Sequence, residues 1–212
     1  MAHWQDSIRE WSAAWAAVRG LETRSDGDVI VTAPDGDHAH GEYVTVFPGP
    51  EASRIAALAA RTPGAALTLA TADRNEANAF AGDHGLLPAG TAVLLTAATE
   101  TLDQEPELPE DGNLSSAALE LYDVAEISVF DRPLASGRIR MADSTAVIGG
   151  ITFSHDPSHT EELRSAIIAA LASEAAAHGI TTIYTIVDSG QVAAYTASGW
   201  TETVHILTYQ AG

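Results

Sequence analysis

Residues 181–200 read TTIYTIVDSGQVAAYTASGW, and their reading decides the fold. The β-branched run 181–187 predicts a strand, Ser189-Gly190 breaks it, and 190–198 predicts a short helix that Gly199 stops. The chain then closes on a final strand, WTETVHILTYQ. Working backwards, residues 159–178 predict a long helix whose apolar face is Leu163, Ile167, Ile168, Leu171 and Ala175, with His178-Gly179 as its stop. Before it, LASGRIRMADSTAVIGGITFS (134–154) reads as two strands turning at 141–145. Its second part, AVIGGITFS, is apolar almost throughout, as in a strand covered on both faces. Alternation over 124–130 predicts one more strand.

The first half repeats this order more faintly. Trp4, Ile8, Trp11, Trp15 and Val18 recur at helical spacing and draw an apolar stripe on a helix ending near Gly20. DVIVTAP (28–34) and GEYVTVFP (41–48) read as a hairpin joined by DGDHAH. A helix over 51–61, a strand over 66–71, a polar helix over 73–81 and a strand over 91–97 follow. Between the halves, residues 99–113 (TETLDQEPELPEDGN) hold six acids, two prolines and no base, a composition that predicts a solvated connection. The expected division is 1–98, an acidic linker over 99–117, and 118–212.

Composition excludes several chemistries. The chain has 212 residues, 29 Asp and Glu against 10 Lys and Arg, and a formal charge of −19. So acidic a protein is not a general nucleic-acid binder, because phosphate backbones are held by clustered cations. All ten cations are arginine, and cysteine is absent. That removes a P-loop lysine, a Schiff-base lysine, a thiol nucleophile and any disulfide. No apolar run reaches the length of a membrane span. The charged start MAHWQDSIREW is unlike a signal peptide, so a cytoplasmic location without membrane contact is expected.

The second half resembles the GNAT acetyltransferases over roughly residues 120–209. AVIGGITFSHDP (146–157) looks like that family's strand running into the cofactor loop. In DSGQVAAYTASGW (188–200), a Tyr four residues before a Gly-aromatic pair matches the family's closing motif at Tyr195, Gly199 and Trp200. The resemblance implies a mixed α/β fold with a central mixed sheet flanked by helices. Applied to the whole chain, it suggests two tandem GNAT-like halves, or one such unit behind an N-terminal extension. It also implies acetyl-CoA as cofactor and transfer of acetyl to a small or peptidic amine. Tyr195 would be the general acid that protonates the departing sulfur. Ile151, Thr152 and Phe153 would offer backbone groups to the pantetheine arm, and Leu163 and Arg164 would lie at the cofactor helix. Asp123, Glu126 and His155 are candidates for the base that deprotonates the amine.

The departures bear on the same site. The family's basic, glycine-bearing loop lets bare N–H groups approach a pyrophosphate, whereas this chain has Ser158-His159-Thr160-Glu161-Glu162-Leu163-Arg164. The glycine positions fall on Glu162 and Arg164, and Ser158 with Glu161 has the spacing of a capping box. A carboxylate about 5 Å from a phosphate costs roughly 3 kcal/mol at an effective dielectric near 20. Asp188 stands where the family often has Asn. Two readings therefore stay open: an acetyltransferase with a drifted pyrophosphate loop, or a catalytically inactive binding module.

Other clusters read as structural. Asp35, Asp37, His38, His40 and Glu42 suggest a solvated turn before they suggest a metal site, since Asp-Gly-Asp is turn chemistry. His155 and His159 straddle Pro157 and are not paired helical ligands. No metal is expected. A cationic amine suits the acidic surface, and the final strand or the Trp-bearing helix could support a homodimer.

Overall fold

The computed structural model describes residues 4–5, 8–33, 41–154 and 159–212. Helix α1 (Ile8–Val18) buries the expected stripe through Ile8, Trp11 and Val18. Trp11 is fully buried, and its indole N–H donates to the Trp4 carbonyl at 3.2 Å. Trp15 is only partly covered, with the Arg19 guanidinium 3.7 Å above its ring. Strands β1 (Glu22–Asp26), β2 (Val29–Ala33) and β3 (Glu42–Phe47) form an antiparallel meander in which Ile30 faces Val44 across the predicted hairpin. The sequence reading passes over β1, because ETRSD is exposed at every position and carries no apolar period.

Next come α2 (Ala52–Ala59), β4 (Ala66–Thr71), α3 (Arg74–Asp83) and β5 (Leu86–Ala98). The Asp73 side chain caps α3 by accepting from the N–H groups of Asn75 and Glu76 at 2.9 and 3.0 Å. Asp73→Ala is expected to cost about 1 kcal/mol by loss of that cap. A denaturant midpoint that does not move would show that α3 is held by packing alone.

The second half runs α4 (Thr99–Leu102), β6 (Gly112–Ala118), β7 (Asp123–Val129), β8 (Arg132–Met141), β9 (Thr145–Phe153), α5 (Thr160–Ala177), β10 (Thr182–Asp188), α6 (Val192–Thr196) and β11 (Thr201–Ala211). The stretch expected as a solvated linker is therefore structured at its two ends. Thr99 and Leu102 are buried in a helical turn, and 112–118 pairs with β7 along its whole length. Only 103–111 is irregular, and it is mostly exposed. The sequence missed β6 because GNLSSAA is small and polar, so its place is set by register and not by burial.

All strands among the described residues join one eleven-stranded sheet in the order β1-β2-β3-β4-β11-β5-β10-β9-β8-β7-β6. Exchanging β1 with β7, β2 with β8, β3 with β9, β4 with β10 and β5 with β11 reverses that order onto itself, leaving only β6 without a counterpart. The directions agree: β3 is parallel to β4 as β9 is to β10, and β4 is antiparallel to β11 as β10 is to β5. The halves are thus two related units that exchange their last strands. β11 is bonded on both edges, so the final strand offers no free edge for a dimer.

Helices α2 and α3 cover the first half and α4, α5 and α6 the second, on one face of the sheet. Alternate residues of the same strands, Ile30, Val44, Leu94, Val147 and Tyr184, meet α1 on the other face.

Candidate functional site

Strands β9 and β10 are paired only from Thr145 with Thr182 to Ile148 with Thr185. Beyond that point β10 stays bonded to β5 as far as Asp188 with Ala92, and β9 stays bonded to β8 as far as Phe153 with Ala135. Each strand keeps its outer ladder while the facing edges part, which leaves the inner backbone edge of 149–153 without a strand partner. The expected full cover of AVIGGITFS holds for Ala146–Ile148 and fails from Gly149 onward, where the residues become partly or fully exposed. The equivalent pair in the first half does not part, since β3 and β4 are in register from Glu42 with Ala66 to Phe47 with Thr71.

A bulge makes the divergence. Between Ser136–Thr152 and Arg138–Gly149, β9 advances three residues while β8 advances two. Gly150 takes the extra step at φ +59°, and a Cβ there would lie 3.0 Å from Arg138 Cδ and 3.2 Å from the Val18 carbonyl oxygen. Glycine is required for both reasons.

Above this notch, α6 presents Tyr195, 6 % exposed, with its ring edge-on to Trp200 at 5.9 Å. Both line a cavity of about 440 Å³ together with Thr101, Gln104, Glu161 and Arg164. Burial pushes the Tyr195 phenol above its ordinary value, the positive Arg164 pulls it back, and Glu161 adds to the rise. The phenol is therefore protonated through the neutral range.

Arg164 lies between β9 and α6. Its guanidinium is 5.5 Å from the Phe153 ring and 5.7 Å from the Tyr195 ring, its side chain is 13 % exposed, and it pairs with Glu161. This position was not legible in the sequence, because the contact joins three elements. Of the other implied cofactor residues, Leu163 is 6 % exposed and packs into the core, Ile151 packs partly against it, and the Thr152 hydroxyl meets Ser136 at 2.9 Å.

At the start of α5, His159 takes a left-handed conformation and makes no side-chain cap. Ser158, the other half of the expected capping box, lies outside the described residues. Glu161 pairs with Arg164 and Glu162 with His159. The acidic segment passes this end of the helix, so that Glu107 and Glu110 share a cavity of about 380 Å³ with His159 and Glu162. Nothing in the sequence brings residues 107 and 162 together.

The base candidates separate. Glu126 lies on the face opposite α5, because Ala125 and Ile127 fill the core beneath that helix. It is in register with Ser136, and Ser136 leads to Thr152. Asp123 lines a different cavity with His178 at the far end of α5, roughly 20 Å along the helix from Arg164. His155 lies outside the described residues, as do Asp35, Asp37, His38 and His40. Glu42 is taken up structurally by Arg19, Thr32 and Thr68. No group of three metal-ligating side chains occurs among the described residues, and no described helix is long and apolar enough to cross a membrane.

No family model and no curated protein sequence matches the chain. Solved structures do. A GCN5-related N-acetyltransferase from Kribbella flavida is similar at 16 % identity with a TM-score of 0.67, over 100 % of this chain and 96 % of that one. A tandem GNAT protein from the clavulanic acid biosynthesis pathway is similar at 15 % identity and TM-score 0.60, over 90 % and 82 %. A GCN5-related N-acetyltransferase from Sphaerobacter thermophilus is similar at 11 % identity and TM-score 0.58, over 96 % and 84 %. At such identities the likeness is one of backbone architecture, and with the parted parallel strands and the exchanged last strands it shows that this chain has the GNAT fold.

Proposed function

We propose that the chain is an N-acyltransferase that moves an acyl group, acetyl in the first instance, from a thioester to an amine. The observation that carries this reading is the unpaired edge of β9 over 149–153, with a buried, protonated Tyr195 across Arg164 from Phe153 at its end. Backbone groups on that edge can hold an extended amide-bearing arm in the manner of an added strand. The amine nitrogen forms a bond to the carbonyl carbon and gives up a proton to solvent, the carbon–sulfur bond breaks, and the phenol of Tyr195 supplies a proton to the sulfur and regains one from solvent. The amine must arrive from the other side of the notch, the side of Glu126 and Thr152.

Acetyl-CoA is the donor that the solved neighbours imply, and it fits this chain in part. The notch and the 440 Å³ cavity suit a pantetheine arm. The start of α5, with Glu161 and Glu162 in its first turn and Glu107 and Glu110 beside it, does not suit a diphosphate. A net charge of −19 favours a cationic acceptor.

The test is thiol release from acetyl-CoA and from S-acetylpantetheine with spermidine and a lysine peptide as acceptors. Release that depends on both protein and amine, and that slows as salt is raised, is the expected result. Silence with both donors would overturn the reading. It would favour instead a non-catalytic module, for which the specific observation is Arg164 lodged between Phe153 and Tyr195.

A further inference from the structure

We propose that the acyl donor of this groove is a thioester of pantetheine, or of a shorter neutral thiol, that ends without a nucleotide diphosphate. The inference rests on the acyltransferase reading and names the donor class for that same site.

Two parts of the groove carry opposite chemistry. The inner part carries no net charge: a backbone edge over 149–153, the Tyr195 phenol, and the mutually paired Arg164 and Glu161 that line the cavity with it. A pantetheine arm is uncharged and brings two amides, which such a lining satisfies.

The outer part is the start of α5. A helix N-terminus ordinarily welcomes phosphate. Here the first turn carries Glu161 and Glu162, whose side chains are 71 % and 70 % exposed and stand in the approach. The segment after α4 adds Glu107 and Glu110 across the smaller cavity. Against these four carboxylates, the Arg164 guanidinium is already paired with Glu161, and the His159 ring is already joined to Glu162. A polyanionic nucleotide tail meets repulsion there, while a donor that stops at the arm never reaches it.

The geometry also explains why the acidic segment is not mere solvent-facing linker. Leu102 anchors one end in the core beneath α5, and β6 anchors the other at the sheet edge. Glu107 and Glu110 are therefore held near the helix start, although exposed.

The experiment measures kcat/KM for S-acetylpantetheine and acetyl-CoA with one acceptor, in the full chain and in a Glu107→Gln, Glu110→Gln, Glu162→Gln variant. Melting-temperature shifts with free pantetheine and with free CoA supply a readout that needs no turnover. The wild-type chain is expected to favour S-acetylpantetheine by about tenfold or more at low salt, with the gap narrowing in high salt. The variant is expected to raise acetyl-CoA use by about 10- to 100-fold and to leave S-acetylpantetheine within about threefold. CoA should stabilise the variant more than the wild type, while pantetheine stabilises both alike. A wild-type preference for acetyl-CoA, or a variant that moves both donors together or neither, overturns the donor assignment and leaves the acyltransferase reading standing. Failure of both donors overturns that reading itself. The three replaced residues are exposed on the surface, so the variant is expected to fold, and its melting temperature without ligand checks this.

Discussion

Tyr195→Phe is expected to lower turnover by about a hundredfold or more while leaving donor binding nearly unchanged, because a positioned general acid contributes roughly 10²–10⁴. The phenyl ring of the variant still fills the position beside Trp200, where the tyrosine ring sits edge-on at 5.9 Å, so packing survives. Only the proton donor is removed. The pH profile separates this role from a structural one. Burial holds the folded-state pKa above the ordinary value of 10.0, with Arg164 opposing and Glu161 assisting. The acid form is thus complete through neutral pH, and the rate should fall on the alkaline side only above about pH 10. In the variant that alkaline limb should disappear. An unchanged rate in Tyr195→Phe, with the limb intact, would remove the residue from the mechanism.

Trp11→Ala is expected to be the most damaging single truncation of the fold, at about 3–5 kcal/mol. Trp11 has no exposed surface and belongs to the cluster in which α1 meets Ile30 and Val44 of the first half and Val147 and Tyr184 of the second. Its loss would open a cavity under a helix that packs on both units from the face opposite α2–α6. For a chain of this size the melting temperature should drop by roughly 2–4 °C per kcal/mol. A shift equivalent to under about 1 kcal/mol would show that the exchanged strands, and not α1, hold the halves together.

How much could be read from residues alone varies by element, for physical reasons. Helix α5 and the Tyr195, Gly199, Trp200 pattern were legible because periodicity and stop signals are local. β1 was not, because an exposed edge strand has no buried face to mark it. β5 begins at Leu86 and not at 91, and its early part contains Pro88 and Gly90. That part is bonded only to β11, since β10 pairs from Ala92 onward, and a proline is tolerated on such a free edge. β9 looked like a strand covered throughout, because apolar content cannot report where a neighbouring strand departs.

The site divides in the same way. Tyr195 and Glu161, Glu162 and Arg164 of the helix start were visible as residue types in a recognisable order. That Arg164 lies between Phe153 and Tyr195, and that Glu107 and Glu110 stand beside Glu162, depended on where separate segments cross.

By itself the sequence determined the inventory, no lysine, no cysteine and an excess of acid, and the order of the elements that carry an apolar period, which leaves out β1, α4 and β6. Those are properties of composition and of contacts a few residues apart. The tertiary structure decided the exchange of β5 and β11, the opening of β9 from β10 in the second half alone, and the gathering of carboxylates at α5. These arise from pairings that reach from Thr145 with Thr182 to His205 with Thr71, and short-range patterns carry no record of partners at that range.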